Sequence, residues 1–421
     1  MTSVYSKHVL PNGVRIVTSV LPEATSVAIG FWVDVGSRCE PHSVSGMSHF
    51  IEHVLFKGTH KRTAFDIAYS MESLGGSLDA LTGRETTVFL SRCLPEHLNV
   101  SVDVIADMLS DPRLAENDIE TEKRVVIEEI KSFEDLPDEI VYELLAKSVW
   151  NGDSIGRPIL GNRESVSGFD STAVRGFFES YYAPRSTVVA AAGNVDHDAL
   201  VEHVSEALKM PGVETPASKE TYTSEIPRIY HEERDSAQCY ICLGTLAPSY
   251  LEDRRYATIL LSAMLGGGMS SRLFQVVREQ LGLAYAVHSS CEFYRDTGLF
   301  TTFLAVDPEM KSRAVASVAG EFKRFKKNGL DKDELEGAKR QLRGSLILGL
   351  ESLTASMSRI ARLELYLGDY YPLEKSIEMT LAVTEDDIME EAERLLEAST
   401  FSLVTVGPSP DETLTEADLD F

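Results

Sequence analysis

One short segment of the sequence, from His49 to His53, combines two histidines and a glutamate at spacings that suit metal chemistry. His49 and His53 are four residues apart, so on a helix their imidazole rings share one face and can bind the same metal ion. Glu52 comes directly before the second histidine, which places its carboxylate beside such an ion, where it can act as a base. The pattern therefore predicts half of a zinc site, because a catalytic zinc ion usually has three protein ligands.

The residues around this pattern predict that it lies on a helix. A serine at position 43 or 45 is a typical helix start, and Gly58 is a typical stop. Between them, apolar residues recur at helical spacing, namely Met47, Phe50, Ile51, Val54 and Leu55. The order His-x-x-Glu-His is the inverted arrangement found among zinc-dependent catalytic motifs.

A third ligand must come from a second helix that packs against the first, and the segment 115–133, which is predicted to be helical, carries several carboxylates. Glu122 and Glu129 are seven residues apart and share one helix face, whereas Glu128 is turned about 100° away. We therefore expect Glu129 to be the third ligand. Glu122 is expected to lie outside it and to hydrogen-bond a ligating histidine.

Composition and charge restrict the possible classes of protein. The chain has 421 residues, 43% of them apolar and 25% charged, and no apolar run approaches the 18 or so residues of a membrane span. With 40 basic and 66 acidic residues, its net charge of −26 argues against a nucleic-acid partner. Residues 1–8 lack the features of a targeting signal, and the five scattered cysteines predict no disulfide framework, so we expect a cytoplasmic location without a membrane partner.

The order of predicted elements suggests two related halves. Residues 211–227 are rich in Pro, Ser, Thr and Glu without apolar periodicity, which is typical of a linker. Strands and helices recur in a similar order before and after it. We therefore predict an N-terminal zinc-binding catalytic domain over 1–210 and a C-terminal domain of similar α+β fold over 228–421.

These motifs resemble the pitrilysin family of inverted-motif zinc peptidases, in particular the branch with the β subunit of the mitochondrial processing peptidase and its short bacterial relatives. In that family a glutamate 76 or 77 positions after the second histidine completes the site, and Glu129 follows His53 by 76 positions. The resemblance covers nearly the whole chain and includes the glycine-rich segment 265–274. It also includes an arginine and a tyrosine seven residues apart, here Arg278 and Tyr285, which contact the bound peptide in relatives.

The resemblance implies a fold and an assembly. Each domain should be a mostly antiparallel sheet with helices packed on one side, and the two should form the halves of a clamshell. An extended peptide should pair with the strand that contains Leu78, Asp79 and Ala80. One zinc ion is expected per chain, in a homodimer in which Arg278 and Tyr285 of one chain complete the site of the other.

The resulting hypothesis is a zinc endopeptidase that hydrolyses peptides or unfolded polypeptide segments. His49, His53 and Glu129 would hold zinc, Glu52 would be the general base, and Glu122, Arg278 and Tyr285 would complete the catalytic set. One alternative is a non-catalytic or partner-dependent subunit of a processing-peptidase-like heterodimer, although such subunits typically lose the zinc residues. Another is a peptide-binding module with a structural zinc ion, which would normally require four protein ligands.

Overall fold

The computed structural model describes residues 4–210, 226–409 and 413–421. In the first half of the chain the strands are β1 (Val4–Val9), β2 (Arg15–Val20), β3 (Val27–Val33), β4 (Ser77–Thr82), β5 (Thr87–Cys93) and β6 (Thr187–Gly193). The helices are α1 (Met47–Leu55), α2 (Ala64–Glu72), α3 (Leu98–Ser110), α4 (Glu116–Glu134), α5 (Pro137–Val149), α6 (Arg163–Ser167), α7 (Ser171–Tyr181) and α8 (His197–Ala207).

In the second half the strands are β7 (Ile229–Glu233), β8 (Cys239–Ala247), β9 (Ala284–Phe293), β10 (Gly298–Val306) and β11 (Ser402–Gly407). The α-helices are α9 (Arg255–Gly266), α10 (Lys311–Asn328), α11 (Lys332–Gly349), α12 (Leu353–Leu367), α13 (Leu373–Ala382) and α14 (Glu385–Leu395), and a π-helix spans Phe274–Gln280.

The described residues divide into two compact units, and the first contains a six-stranded sheet in the order β1-β2-β6-β3-β5-β4. All of its strand pairs are antiparallel except β2 with β6. One face of the sheet packs on helices α1, α3, α7 and α8 through a core that includes Phe31, Phe50 and Ile105. Strand β4 forms one edge of the sheet, so the outer side of its backbone has no strand neighbour within the unit.

The second unit repeats this topology with one strand fewer. Its sheet has the order β7-β11-β8-β10-β9, and again the last strand of the half chain forms the parallel pair, here β11 with β7 as β6 with β2 in the first unit. One face packs on α9, α10 and α14 through residues such as Phe300 and Phe322. Edge strand β9 thus occupies the place that β4 has in the first unit. The predicted fold, two related and mostly antiparallel α+β domains, is confirmed.

Each unit also takes one helix from the other half of the chain. Helix α12 packs on the second face of the first sheet, where Met357 and Ile360 lie among buried residues of β2, β3 and β6. Helix α5 packs in the same way on β8 and β11 of the second sheet, through Val141 and Leu145. Both faces of each central strand are therefore covered, which fits their continuous apolar sequences.

The exchange of helices changes the predicted domain boundaries. The first unit contains the described residues up to Lys131, then Arg157 to Met210 and Gly349 to Tyr370. The second contains Ser132–Gly156, residues 226–348 and the described residues after 370. A division at 210 and 228 therefore misassigns two segments, because the apolar faces of α5 and α12 are buried on the sheet of the other half. Of the predicted linker, residues 211–225 lie outside the described part of the chain.

Two further features of the described residues concern membrane spans and cysteines. No helix within the described ranges is long and apolar enough to cross a membrane. Cys239 and Cys242 are buried on opposite faces of the second sheet, as the alternation of a strand requires, so they do not form a pair.

Candidate metal centre

The helix that carries the His-x-x-Glu-His pattern starts in an unusual way. Its N-cap is Gly46 with φ 90°, and no side chain of that residue can cap it. Instead, the oxygens of the buried Glu40 carboxyl group accept hydrogen bonds from the backbone N–H groups of Gly46 and Ser48, each at 2.7 Å. The predicted start at Ser43 or Ser45 is therefore wrong, because the cap comes from a residue that precedes the helix by several positions.

The two histidines meet Glu129 of α4 at a single point. Nε2 of His49 lies 3.6 Å from Oε1 of Glu129, and Nε2 of His53 lies 3.3 Å from Oε2 of the same carboxylate. Their potential ligand atoms all lie within 4.8 Å of one another. Among the described residues, these are the side chains that cluster closely enough to hold a metal ion as a group of three or more His, Cys, Asp or Glu.

The arrangement fits zinc in donor type and in spacing. Zinc accepts imidazole nitrogen and carboxylate oxygen at about 2.0–2.2 Å, so two ligands in a tetrahedral set lie about 3.4 Å apart. The two N···O distances above, 3.3 and 3.6 Å, bracket this value. Three protein donors also match the number in a catalytic zinc site, which keeps one position for water.

Glu122 supports His53 from behind. Its carboxylate is buried, with 2% of the side chain exposed, and Oε2 lies 3.3 Å from Nδ1 of His53. Oε1 forms a 2.6 Å ion pair with Lys57, which follows the end of α1. Nδ1 of His53 faces Glu122, and Nε2 faces Glu129. This is the ring orientation expected of a metal-ligating histidine that donates its other N–H to an outer carboxylate.

Glu52 is held by a residue of the edge strand. The hydroxyl of Thr82, the last residue of β4, donates a 2.5 Å hydrogen bond to Oε2 of Glu52. Glu52 is half-buried on the same helix as both histidines, whereas Thr82 is 7% exposed. This contact fixes the orientation of the Glu52 carboxylate and links it to the strand that forms the sheet edge.

Burial and mutual charge set the protonation of the cluster. Burial, together with the charge of His53, lowers the pKa of His49 to about 4, so this imidazole is neutral and able to act as a ligand. Burial would also lower the pKa of His53, but hydrogen bonds to Glu129 and Glu122 outweigh it and raise the pKa. The hydrogen bond from His53 lowers the pKa of Glu129, which favours its ionised, ligating form.

Burial shifts the pKa of Glu52 in the direction opposite to its effect on the histidines. Burial raises the pKa of its carboxyl group, while the hydrogen bond from Thr82 and the charge of His53 partly offset this. A carboxylate with a raised pKa holds a proton more readily, which is the property required of a group that takes up and returns a proton near neutral pH.

The remaining predicted site residues lie on two edge strands and the segment before one of them. Leu78, Asp79 and Ala80 are on β4, with Asp79 exposed and the other two half-buried facing the helices. Arg278 belongs to the π-helix of the second unit, and its guanidinium lies 6.0 Å from the ring centre of Tyr285 at the start of β9. Both are exposed, Tyr285 by 74%.

Three residues of the site were missed at the level of sequence, namely Glu40, Lys57 and Thr82. Each acts through a contact between segments that are distant in the chain or belong to different elements. Lys57 offered a weak signal, since it comes directly before the predicted helix stop at Gly58 and its charge is opposite to that of the carboxylates on α4. Nothing in the sequence near Thr82 connects its hydroxyl with Glu52.

Comparison with known families gives two matches that together cover most of the chain. Residues 15–163 match the model of the insulinase family, peptidase family M16, and residues 168–342 match that of the M16 inactive domain. Among curated proteins, the uncharacterized zinc protease YmxG of Bacillus subtilis is 37% identical over 410 residues, which cover 96% of this chain and 98% of the relative. An uncharacterized zinc protease of Streptomyces coelicolor is also 37% identical, over 96% of this chain and 89% of its own.

A solved structure shows the same fold at lower sequence identity. A protease from Helicobacter pylori superposes with a TM-score of 0.88 at 20% identity, over 96% of this chain and all of the other.

Proposed function

Because the chain belongs to the insulinase family, peptidase family M16, we propose that it is a zinc-dependent endopeptidase that hydrolyses peptides or unfolded polypeptide segments. The observation that carries this proposal is the meeting of His49, His53 and Glu129 at one point, with Glu52 on the same helix as the two histidines. The names of the curated relatives support zinc as the metal.

In this proposal, His49, His53 and Glu129 hold one zinc ion per chain. Bound zinc would lower the pKa of a water molecule and polarise the peptide carbonyl. Glu52 accepts a proton from the attacking water and returns it to the leaving amine, and its raised pKa favours that return. Glu122 keeps His53 oriented, and Thr82 keeps Glu52 oriented, so little reorganisation is needed during the reaction.

The edge strand β4 is the proposed binding site for the substrate backbone. An extended peptide would add to the sheet beside Leu78, Asp79 and Ala80, with main-chain hydrogen bonds that do not depend on its sequence. Thr82, at the end of that strand, donates a hydrogen bond to Glu52. In this proposal, the strand that pairs with the peptide therefore also contacts the general base. Such binding requires an extended chain and therefore favours unfolded segments over folded proteins.

We further propose that Arg278 and Tyr285 contact the bound peptide, and that they do so across a homodimer in which each chain completes the site of the other. Their exposure and their proximity to each other support a joint role. A cytoplasmic location is supported by the five cysteines, all of which are free thiols.

The same fold is also compatible with the alternative, a non-catalytic or partner-dependent subunit. A chain of complex III2 from Candida albicans also superposes on this one, with a TM-score of 0.83 at 20% identity and 99% coverage of both chains. The fold alone therefore does not separate a free-standing enzyme from a subunit of a larger complex. The complete set of three ligands, base and outer carboxylate favours the enzyme. A structural zinc site is disfavoured because the cluster offers three protein ligands within the described residues.

The experiment that tests the proposal combines metal analysis with a quenched-peptide assay. The purified chain should contain one zinc ion, lose activity with a chelator and regain it when zinc is added. Glu52→Gln should keep zinc but lower turnover by about 10²- to 10⁴-fold, because it removes the base and leaves the ligands. Substantial turnover by Glu52→Gln at full zinc occupancy would refute the mechanism. A zinc-loaded wild-type chain inactive on all unfolded peptides would favour the subunit alternative.

A further inference from the structure

Lys57 occupies a position from which it can act on the metal centre without touching it. Its Nζ lies 2.6 Å from Oε1 of Glu122, whose other oxygen lies 3.3 Å from Nδ1 of His53. Nε2 of His53 in turn faces Glu129 at 3.3 Å. We propose that Lys57 is a positioning residue that strengthens zinc binding through Glu122 and His53. This inference rests on the proposed zinc site.

The physical reason is the burial of Glu122. With 2% of its side chain exposed, this carboxylate has lost most of its hydration, and a buried charge is tolerated only when it is paired. Lys57 supplies a positive charge at one oxygen, which leaves the other to accept the N–H of His53. Two contacts on opposite oxygens also fix the plane of the carboxylate, and so the direction in which the imidazole of His53 points.

The fold holds the backbone of Lys57 in place for this role. Its N–H donates to the carbonyl of Val54 in the last turn of α1, at 3.0 Å. Its own carbonyl accepts a 3.0 Å hydrogen bond from Arg113, which forms a 2.6 Å ion pair with Asp118 in the first turn of α4. The end of the helix that carries the histidines is thereby tied to the start of the helix that carries Glu122 and Glu129.

The side chain of Lys57 is 35% exposed, so its ammonium group can be removed without opening the core. Lys57→Met keeps the unbranched stem and removes the charge. We expect it to weaken zinc binding about tenfold, the lower end of the range seen when an outer partner of a metal ligand is lost. Lys57→Arg keeps the charge with a different geometry and should fall between Lys57→Met and the wild type.

Lys61 offers a matched control four residues further on. Its Nζ lies 3.5 Å from the buried carboxylate of Asp107, and its side chain is 74% exposed. Asp107 also pairs with Arg62 at 2.6 Å and has no contact with the metal cluster among its described ion pairs. Lys61→Met removes the same charge from the same kind of partner, and it should leave zinc affinity unchanged.

A double-mutant cycle separates action through Glu122 from a general effect of charge. The zinc dissociation constant is measured by competition with a fluorescent chelator for the wild type, Lys57→Met, Glu122→Gln and the double variant. If Lys57 acts through Glu122, Lys57→Met should cost less than about twofold in the Glu122→Gln background. The melting temperature of each zinc-free chain is measured in parallel, so that a loss of stability is seen separately from a loss of affinity.

Three results would overturn the inference. Wild-type affinity in Lys57→Met would show that the ion pair is irrelevant to zinc, even if the melting temperature fell. If Lys57→Met lowered zinc affinity tenfold both in the wild type and in Glu122→Gln, Lys57 would not act through Glu122. If Lys61→Met lowered zinc affinity by the same factor, the effect would be one of net charge alone. A wild-type chain that binds no zinc would instead overturn the proposed function and this inference together, so the two failures are distinguishable.

Discussion

The choice between two adjacent glutamates of α4 gives the sharpest test of the metal site. Glu129 points at both histidines, with Oε atoms 3.6 and 3.3 Å from their Nε2 atoms. Glu128 is turned away, is 70% exposed in its side chain and pairs with Lys131 on the helix surface. Glu129→Gln and Glu128→Gln therefore make the same chemical change at neighbouring positions, so each is a control for the other.

The expected magnitude follows from the place of each carboxylate. Loss of an outer partner of a ligand typically costs 10- to 100-fold in metal affinity, and loss of a ligand should cost more. We expect Glu129→Gln to weaken zinc binding by at least about 100-fold, or about 2.7 kcal/mol. The surface ion pair of Glu128 is worth at most about 1 kcal/mol to stability, and its removal should not alter zinc affinity.

The measurement is zinc affinity by chelator competition, with zinc content after dialysis and peptide turnover as supporting readouts. The free energy of unfolding should be nearly the same for the two zinc-free variants. Glu129 is partly exposed, and its ion-pair partners are the histidines, so its replacement does not open the core. A reversed result, with Glu128→Gln losing zinc and Glu129→Gln keeping it, would show that the helix phase is wrong by one residue. Equal and small effects in both would refute Glu129 as a ligand.

Three further predictions concern the base, the assembly and the helix cap. Thr82→Val removes the hydrogen bond to Glu52. Since a hydrogen bond to a charged group is worth about 1.5–3 kcal/mol, kcat should fall about 10- to 100-fold with KM little changed. Thr82→Ser keeps the hydroxyl and should retain most of the wild-type kcat, whereas equal losses in both variants would contradict the role of the hydroxyl. In the proposed homodimer, a chain with Glu52→Gln mixed equally with one carrying Arg278→Ala and Tyr285→Phe should regain about a quarter of wild-type activity after subunit exchange, and no recovery would exclude a shared site. Burial raises the pKa of Glu40 from 4.5 to about 8, so between these pH values the folded chain keeps a proton that the unfolded chain releases. The free energy of unfolding should therefore fall as pH rises through this range. In denaturant unfolding, Glu40→Gln should show a weaker dependence of this free energy on pH, and an unchanged dependence would contradict the prediction.

The sequence by itself determined the parts of the site that depend on one helix. The spacing of His49 and His53 and the seven-residue spacing of Glu122 and Glu129 each fix side chains on one helix face, because the helical repeat is a local property of the backbone. In the structure His49, His53 and Glu129 cluster, and Glu122 contacts His53. The recurrence of elements likewise indicated two related α+β halves, since each half has its own periodicity and turn signals.

Only the tertiary structure decided which sheet each amphipathic helix covers. The apolar faces of α5 and α12 show that both helices are buried, but an apolar face is compatible with any apolar surface of the right shape. Their packing on the sheet of the other half moved the boundaries of both units. Contacts of this kind join residues far apart in the chain, and no local pattern records them.

The same reason explains the supporting contacts of the metal centre. Glu40 caps α1 from outside it, Thr82 reaches Glu52 from the edge strand, and Lys57 pairs with Glu122 across two helices. Each contact depends on the distance and angle between separate elements, which the packing of their apolar faces sets. The sequence thus determined which residues could bind a metal and act as a base, and the tertiary structure decided which residues hold them in position.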